Sequence, residues 1–136
     1  MRIMAVDYGD ARTGIAVSDE MGILAGEAFI ITEWSQEQVA QKIANEVKKR
    51  CVGRVILGYP RNMDGTLGPR AEKSEALASL LSDQHGLDVI LWDERRTTVD
   101  AHRILSEAGV SGKKRKRTVD AVAATLILEG YLNSIR

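Results

Sequence analysis

A chain of 136 residues, 44% of them hydrophobic, has the material for one core, so a single domain over residues 1–136 is expected. Nineteen Lys and Arg balance nineteen Asp and Glu, which excludes a generally polycationic nucleic-acid binder, and the lone Cys51 excludes an internal disulfide or a cysteine metal cage. The N-terminal apolar run is too short for a signal peptide and no stretch approaches the ~20 apolar residues of a membrane span, so a cytoplasmic protein without a membrane partner is expected.

In chain order, Arg2 to Val6, Thr13 to Val17 and Gly22 to Thr32 are apolar runs separated by turn residues, and they read as three consecutive strands. Gln36 to Arg50 sets Val39, Ile43 and Val47 four apart, the spacing of an amphipathic helix, with Ser35 as its N-cap and basic residues at its C-terminal end. Arg54 to Gly58 reads as a buried strand. The Gly-, Pro-, Asn- and Asp-containing stretch from Tyr59 to Arg70 reads as a loop, followed by a helix from about Ala71 to Asp83. Leu87 to Trp92 is the next strand, Thr98 to Glu107 a helix, and Thr118 to Tyr131 the last helix. Three strands followed by alternating helices and strands predict an α/β fold. Its mixed central sheet has about five strands and helices on both faces, and the runs VILG and VILW are central strands.

Charge is unevenly spread along this pattern. Lys and Arg number 10 against 15 Asp and Glu in residues 1–94, 8 against 2 in 95–117, and 1 against 2 in 118–136. An acidic body with one basic segment points to a local anion-binding surface, although the run KKRKR alone is equally compatible with a solvated loop.

Carboxylates stand at three places where chemistry is expected in such a fold. Asp7 closes the first strand and precedes Gly9, so it can hold a divalent cation while a phosphate approaches, or simply make a turn. Asp93 and Glu94 close the strand LDVILW, and period two puts them on opposite faces, so one of them reaches a site on a given face. Asp120 falls in the first turn of the expected last helix, where the helix dipole alone favours an acid; Ala121, Ala123 and Ala124 would let that helix approach the sheet closely. His85 and His102 have no matching nucleophile pattern and read as ordinary surface residues. Trp92 is expected beneath the helix that follows it, Trp34 near the entry of the first helix, and Leu126, Ile127 and Tyr131 in the core.

The stretches VDYGDARTGIAVSD, VILGYPRNMDGTLGPRAEK, WDERRTTVDAH and KRKRTVDAVAATLILEGYL, in that order, resemble the YqgF/RuvX group of RNase H-like proteins. Its members are described both as Holliday junction resolvases and as nucleases maturing the 5′ end of the 16S ribosomal RNA precursor. The resemblance implies an RNase H-like fold and a metal-dependent endonuclease, with Asp7, Glu94 and Asp120 as catalytic and metal-binding residues for Mg²⁺ or Mn²⁺. It places Arg12, Asn62, Asp64, Gly65, Thr66 and Arg95 along the substrate cleft. Lys113, Lys114, Arg115 and Lys116 join them as further nucleic-acid contacts because of their charge. The implied partner is nucleic acid, an RNA precursor first and branched DNA second, bound by a monomer or weak homodimer. A non-catalytic nucleic-acid-binding transcription factor is the third reading, which the retention of all three acids opposes. RNase H-like nucleases generally carry their second acid on the fourth strand; here that strand ends in LGYP, and Glu94 ends the fifth.

Overall fold

The computed structural model describes residues 1–60, 68–93 and 112–135, and within 112–120 the backbone only. Five strands, β1 (Arg2–Asp7), β2 (Arg12–Ser18), β3 (Ala25–Thr32), β4 (Val52–Tyr59) and β5 (Val89–Asp93), form one sheet in the order β3-β2-β1-β4-β5. The first three pair as an antiparallel meander, whereas β1, β4 and β5 run parallel. Helix α1 (Gln36–Arg50) joins β3 to β4, α2 (Pro69–His85) joins β4 to β5, and α3 (Gly112–Ser134) closes the described fold.

Strand alternation divides the core in two. Met4, Val6, Ile15, Val17, Val55 and Leu57 pack against α1 and α2, while Ile3, Ala5, Ala16 and Ile56 pack against α3. Central β1 is therefore buried on both faces, and its residues from Ile3 to Asp7 are shielded from solvent. The expected α/β architecture with helices on both faces is what the sheet and its two cores display.

Local chemistry explains the boundaries of the elements. Ser35 caps α1 by accepting from the Gln38 amide, and Cys51 ends that helix in the left-handed region at φ 56°. Pro69 opens α2 at a position that has no intrahelical N–H to lose, and Gly86, at φ 65°, closes it. Between β2 and β3 the Asp19 carboxylate accepts from the amides of Ile23 and Leu24. Gly22 sits there at φ 69° with the Met1 carbonyl so close that a Cβ would lie 2.6 Å from its oxygen, so the turn admits only glycine.

Two expectations change. The strand VILW is outermost among the described strands rather than central, and Leu91 is 39% exposed. The last helix begins at Gly112 rather than Thr118, so the basic run is its first two turns: Lys and Arg are good helix formers, and charge without an apolar stripe hides their helicity from periodicity. The helix expected over Trp92, Thr98 to Glu107, lies outside the described residues; within them Trp92 packs edge-on against Tyr131 of α3. Trp34 precedes α1 as expected but is 75% exposed.

Candidate active site

The parallel strands end together. In register, Val6 of β1 is level with Leu57 of β4 and Leu91 of β5, so Asp7 lies one residue past that row and Tyr59 and Asp93 two past it. Carboxyl ends of parallel strands form the edge where ligands bind in α/β sheets.

Asp7 is 7% exposed, although it is the last residue of a strand. By alternation it follows Ile3 and Ala5 onto the α3 side of the sheet, the side also taken by Ile90 and Trp92 of β5. Asp93 takes the other face and is exposed. On α3, Ala124 is wholly buried against the sheet, and Asp120 stands one turn before it on the same helix line. Because α3 starts at Gly112, Asp120 is in its third turn, beyond the first turn where a helix dipole favours an acid, so that bland explanation falls away.

Arg12 opens β2, partly buried and close in sequence to Asp7. Glu94, Arg95, Asn62, Asp64, Gly65 and Thr66 lie outside the described residues, as does His102. Lys113, Lys114, Arg115 and Lys116 occupy the first two turns of α3. His85, in the last turn of α2, is partly buried. Among the described residues no three His, Cys, Asp or Glu side chains cluster to hold a metal. The donor set proposed from sequence is all-carboxylate, hard oxygen chemistry that suits Mg²⁺ or Mn²⁺, and Asp7, buried at a fixed strand end, fits such a group.

Two basic side chains near Asp7 escaped the sequence reading. Arg70 Nη2 donates to the Tyr8 carbonyl at 3.4 Å, and Lys73 Nζ pairs with Asp10 Oδ1 at 2.8 Å. With Tyr8 and Gly9 they line a cleft of about 230 Å³. The Lys73 ammonium holds the Asp10 carboxyl below its ordinary value, through a hydrogen bond first and charge second. The signal was the spacing Arg70–Lys73, three apart on one face of a helix that follows a loop, within the stretch GPRAEK. Helix α2 is further anchored by Tyr59, whose hydroxyl donates to Glu75. A larger concavity of about 680 Å³ between α1 and α2 carries Glu37 and Asp83, a charge sign that repels a polyanion.

With this geometry established, comparison with known proteins settles the lineage. A family model described as RuvX, Holliday junction resolvase, matches residues 1–134. A protein of Halothermothrix orenii named "Putative pre-16S rRNA nuclease" is 47% identical over 133 residues, covering 98% of this chain and 95% of that one. A protein of Bacillus subtilis with the same name is 41% identical, with 99% of each chain covered. The chain belongs to the RuvX family. The RuvX fold in turn is similar to that of the Holliday junction resolvases: Thermus thermophilus RuvC in complex with its junction substrate superposes with a TM-score of 0.58 at 10% identity, covering 99% of this chain and 96% of that one. The fowlpox virus resolvase, also in complex with junction DNA, gives 0.60 at 14% identity, with 99% of both chains covered. At these identities the likeness concerns the fold alone, and that fold is RNase H-like. No helix of the described residues is long and apolar enough to cross a membrane.

Proposed function

We propose that this RuvX-family protein is a divalent-metal-dependent endonuclease that matures the 5′ end of the 16S ribosomal RNA precursor in the cytoplasm. The observation that carries the reading is a buried carboxylate, Asp7, at the meeting point of the parallel strand ends, in a chain whose relatives of the same length bear the pre-16S rRNA nuclease name. In the reaction a water oxygen bonds to phosphorus, the P–O3′ bond breaks, and the water's proton leaves to bulk or to the departing 3′ oxygen.

Asp7, Glu94 and Asp120 form the proposed metal-binding and catalytic set. Asp7 lies on the side of the sheet that Trp92 of β5 shares, and Asp120 stands on the helix that covers that side. Mg²⁺ or Mn²⁺ held there would activate water and neutralise charge on the leaving oxygen. Arg12, Arg95 and the loop residues Asn62, Asp64, Gly65 and Thr66 would orient the strand. Lys113, Lys114, Arg115 and Lys116, arrayed on two helical turns, would bind backbone phosphates, and replacing all four with Gln should flatten the dependence of affinity on salt.

Resolution of Holliday junctions is the second reading, favoured by the family description. It requires two symmetric cuts and hence a dimer on the junction. The test is incubation of the purified protein with Mg²⁺ or Mn²⁺ and, separately, precursor 16S RNA, unrelated single-stranded RNA and a four-way DNA junction. Site-selective cutting of the precursor supports the first reading, paired cuts in the junction support the second, and cleavage of none of the three, with either metal, overturns both.

A further inference from the structure

The loop that follows Asp7 and the first two turns of α2 enclose the cleft of about 230 Å³ lined by Tyr8, Gly9, Asp10, Arg70 and Lys73. Its floor is backbone: a Cβ on Gly9 would lie 2.3 Å from the Arg12 carbonyl oxygen, so the loop is folded tightly and offers no side chain at that point. Its cations come from one helix face, since residues 70 and 73 are neighbours on the α2 surface. The N-cap of that helix, Gly68, makes no side-chain cap hydrogen bond, and Glu72 is the acid of its first turn. The Lys73–Asp10 pair is loosely held. The side chains are 53% and 73% exposed, a setting in which an ion pair contributes little to stability and is exchangeable.

We propose that this cleft is a backbone-phosphate subsite of the nuclease, in which Arg70 and Lys73 hold a phosphate next to the scissile one and Asp10 occupies Lys73 until the nucleic acid displaces it. The inference rests on the nuclease reading and deepens it. Asp10 then acts as an internal competitor: it resembles the ligand in charge, sits where the ligand goes, and weakens binding by the free energy of the exchanged pair. The chemistry recognised is a phosphodiester of a single strand, so the subsite adds affinity without reading bases.

The test is binding of a short labelled single-stranded RNA to the full chain, with Ca²⁺ replacing Mg²⁺ to hold cleavage off, across a salt series. Arg70→Gln and Lys73→Gln should each weaken binding and reduce the slope of log affinity against log salt by about 0.7, the value for one phosphate contact on a single strand. Lys49→Gln, a neutralised lysine at the opposite end of the strands, should leave the slope unchanged. Asp10→Asn should tighten binding several-fold in the parent and have no effect in the Lys73→Gln background. Unchanged slopes in both α2 variants, with a lowered melting temperature, would make Arg70 and Lys73 structural ties and overturn the subsite while the nuclease reading stands. Equal tightening by Asp10→Asn in both backgrounds would make Asp10 a distant like charge and overturn the exchange. A parent protein that neither binds RNA nor cuts it in Mg²⁺ would instead remove the RNA-nuclease reading, and the single-strand subsite with it.

Discussion

Trp92 meets Tyr131 edge to face, ring centroids 5.8 Å apart and planes at 85°, and this contact docks the last helix on the outermost parallel strand. The Tyr131 hydroxyl extends the link by accepting from Arg54 Nη1 at 3.0 Å, while Arg54 Nε donates to Asp88 at 2.8 Å. One side chain of α3 thus touches both β4 and β5.

Tyr131→Phe keeps the ring pair and removes only the hydroxyl. Arg54 is 33% exposed and retains Asp88, so water can replace the lost acceptor, and the expected cost is about 1 kcal/mol. Tyr131→Ala also removes the buried ring and should cost about 3–5 kcal/mol. Urea unfolding measures both; equal losses would mean that the ring contributes nothing beyond the hydroxyl.

Gly130 lies inside α3, and a Cβ there would be 3.5 Å from Trp92 Nε1, ordinary van der Waals distance. Glycine in a helix interior is worse than alanine by about 0.5–1 kcal/mol. Gly130→Ala should therefore stabilise the protein by roughly that amount. A fall in the melting temperature would show that the helix rides closer to Trp92 in solution.

Asp7→Asn separates the metal site from the fold. If Asp7 clusters with other carboxylates, removing its charge relieves repulsion, so the metal-free variant should melt no lower than the parent. The parent should gain about 2.7 kcal/mol when Mg²⁺ is a hundredfold above its dissociation constant, and the variant should lose most of that gain together with cleavage. Differential scanning calorimetry with and without Mg²⁺ decides it. A variant that cuts at the parental rate would remove Asp7 from the site.

Asp19 gives a pH dependence with a defined sign. Its carboxyl lies below its ordinary value of 3.8, held chiefly by the Ile23 amide. A depressed folded pKa means that its contribution is present above the unfolded value and is lost as pH falls through the folded one. The stability difference between the parent and Asp19→Asn should thus be largest near neutral pH and shrink on acidification below about pH 4. A difference that grows with acidification would contradict the turn hydrogen bonds.

How much of this was legible beforehand follows from what periodicity carries. Val39, Ile43 and Val47 announced α1 because each faces the core, and the run IMAV announced β1 because both of its faces are covered. The same apolar richness misplaced VILW, since composition does not distinguish an outermost strand with one large covered face from a central one. The start of α3 was hidden because its first two turns are charged. Asp7 was visible as a strand-end acid. Arg70 and Lys73 were not, because their partners, Tyr8 and Asp10, are more than sixty positions away in the chain, and only tertiary folding joins them.

The end of α1 leaves this protein with an unusual experimental convenience. Cys51, the only cysteine of the chain, occupies an exposed left-handed position that an L side chain enters at a cost of roughly 1 kcal/mol and that glycine enters freely. Replacing it with glycine removes the sole thiol and relieves that strain in one change. The resulting thiol-free background would accept a pair of introduced cysteines carrying spectroscopic labels, one on α2 and one on the loop after Asp7, so that the approach of the two could be followed as a distance while nucleic acid binds.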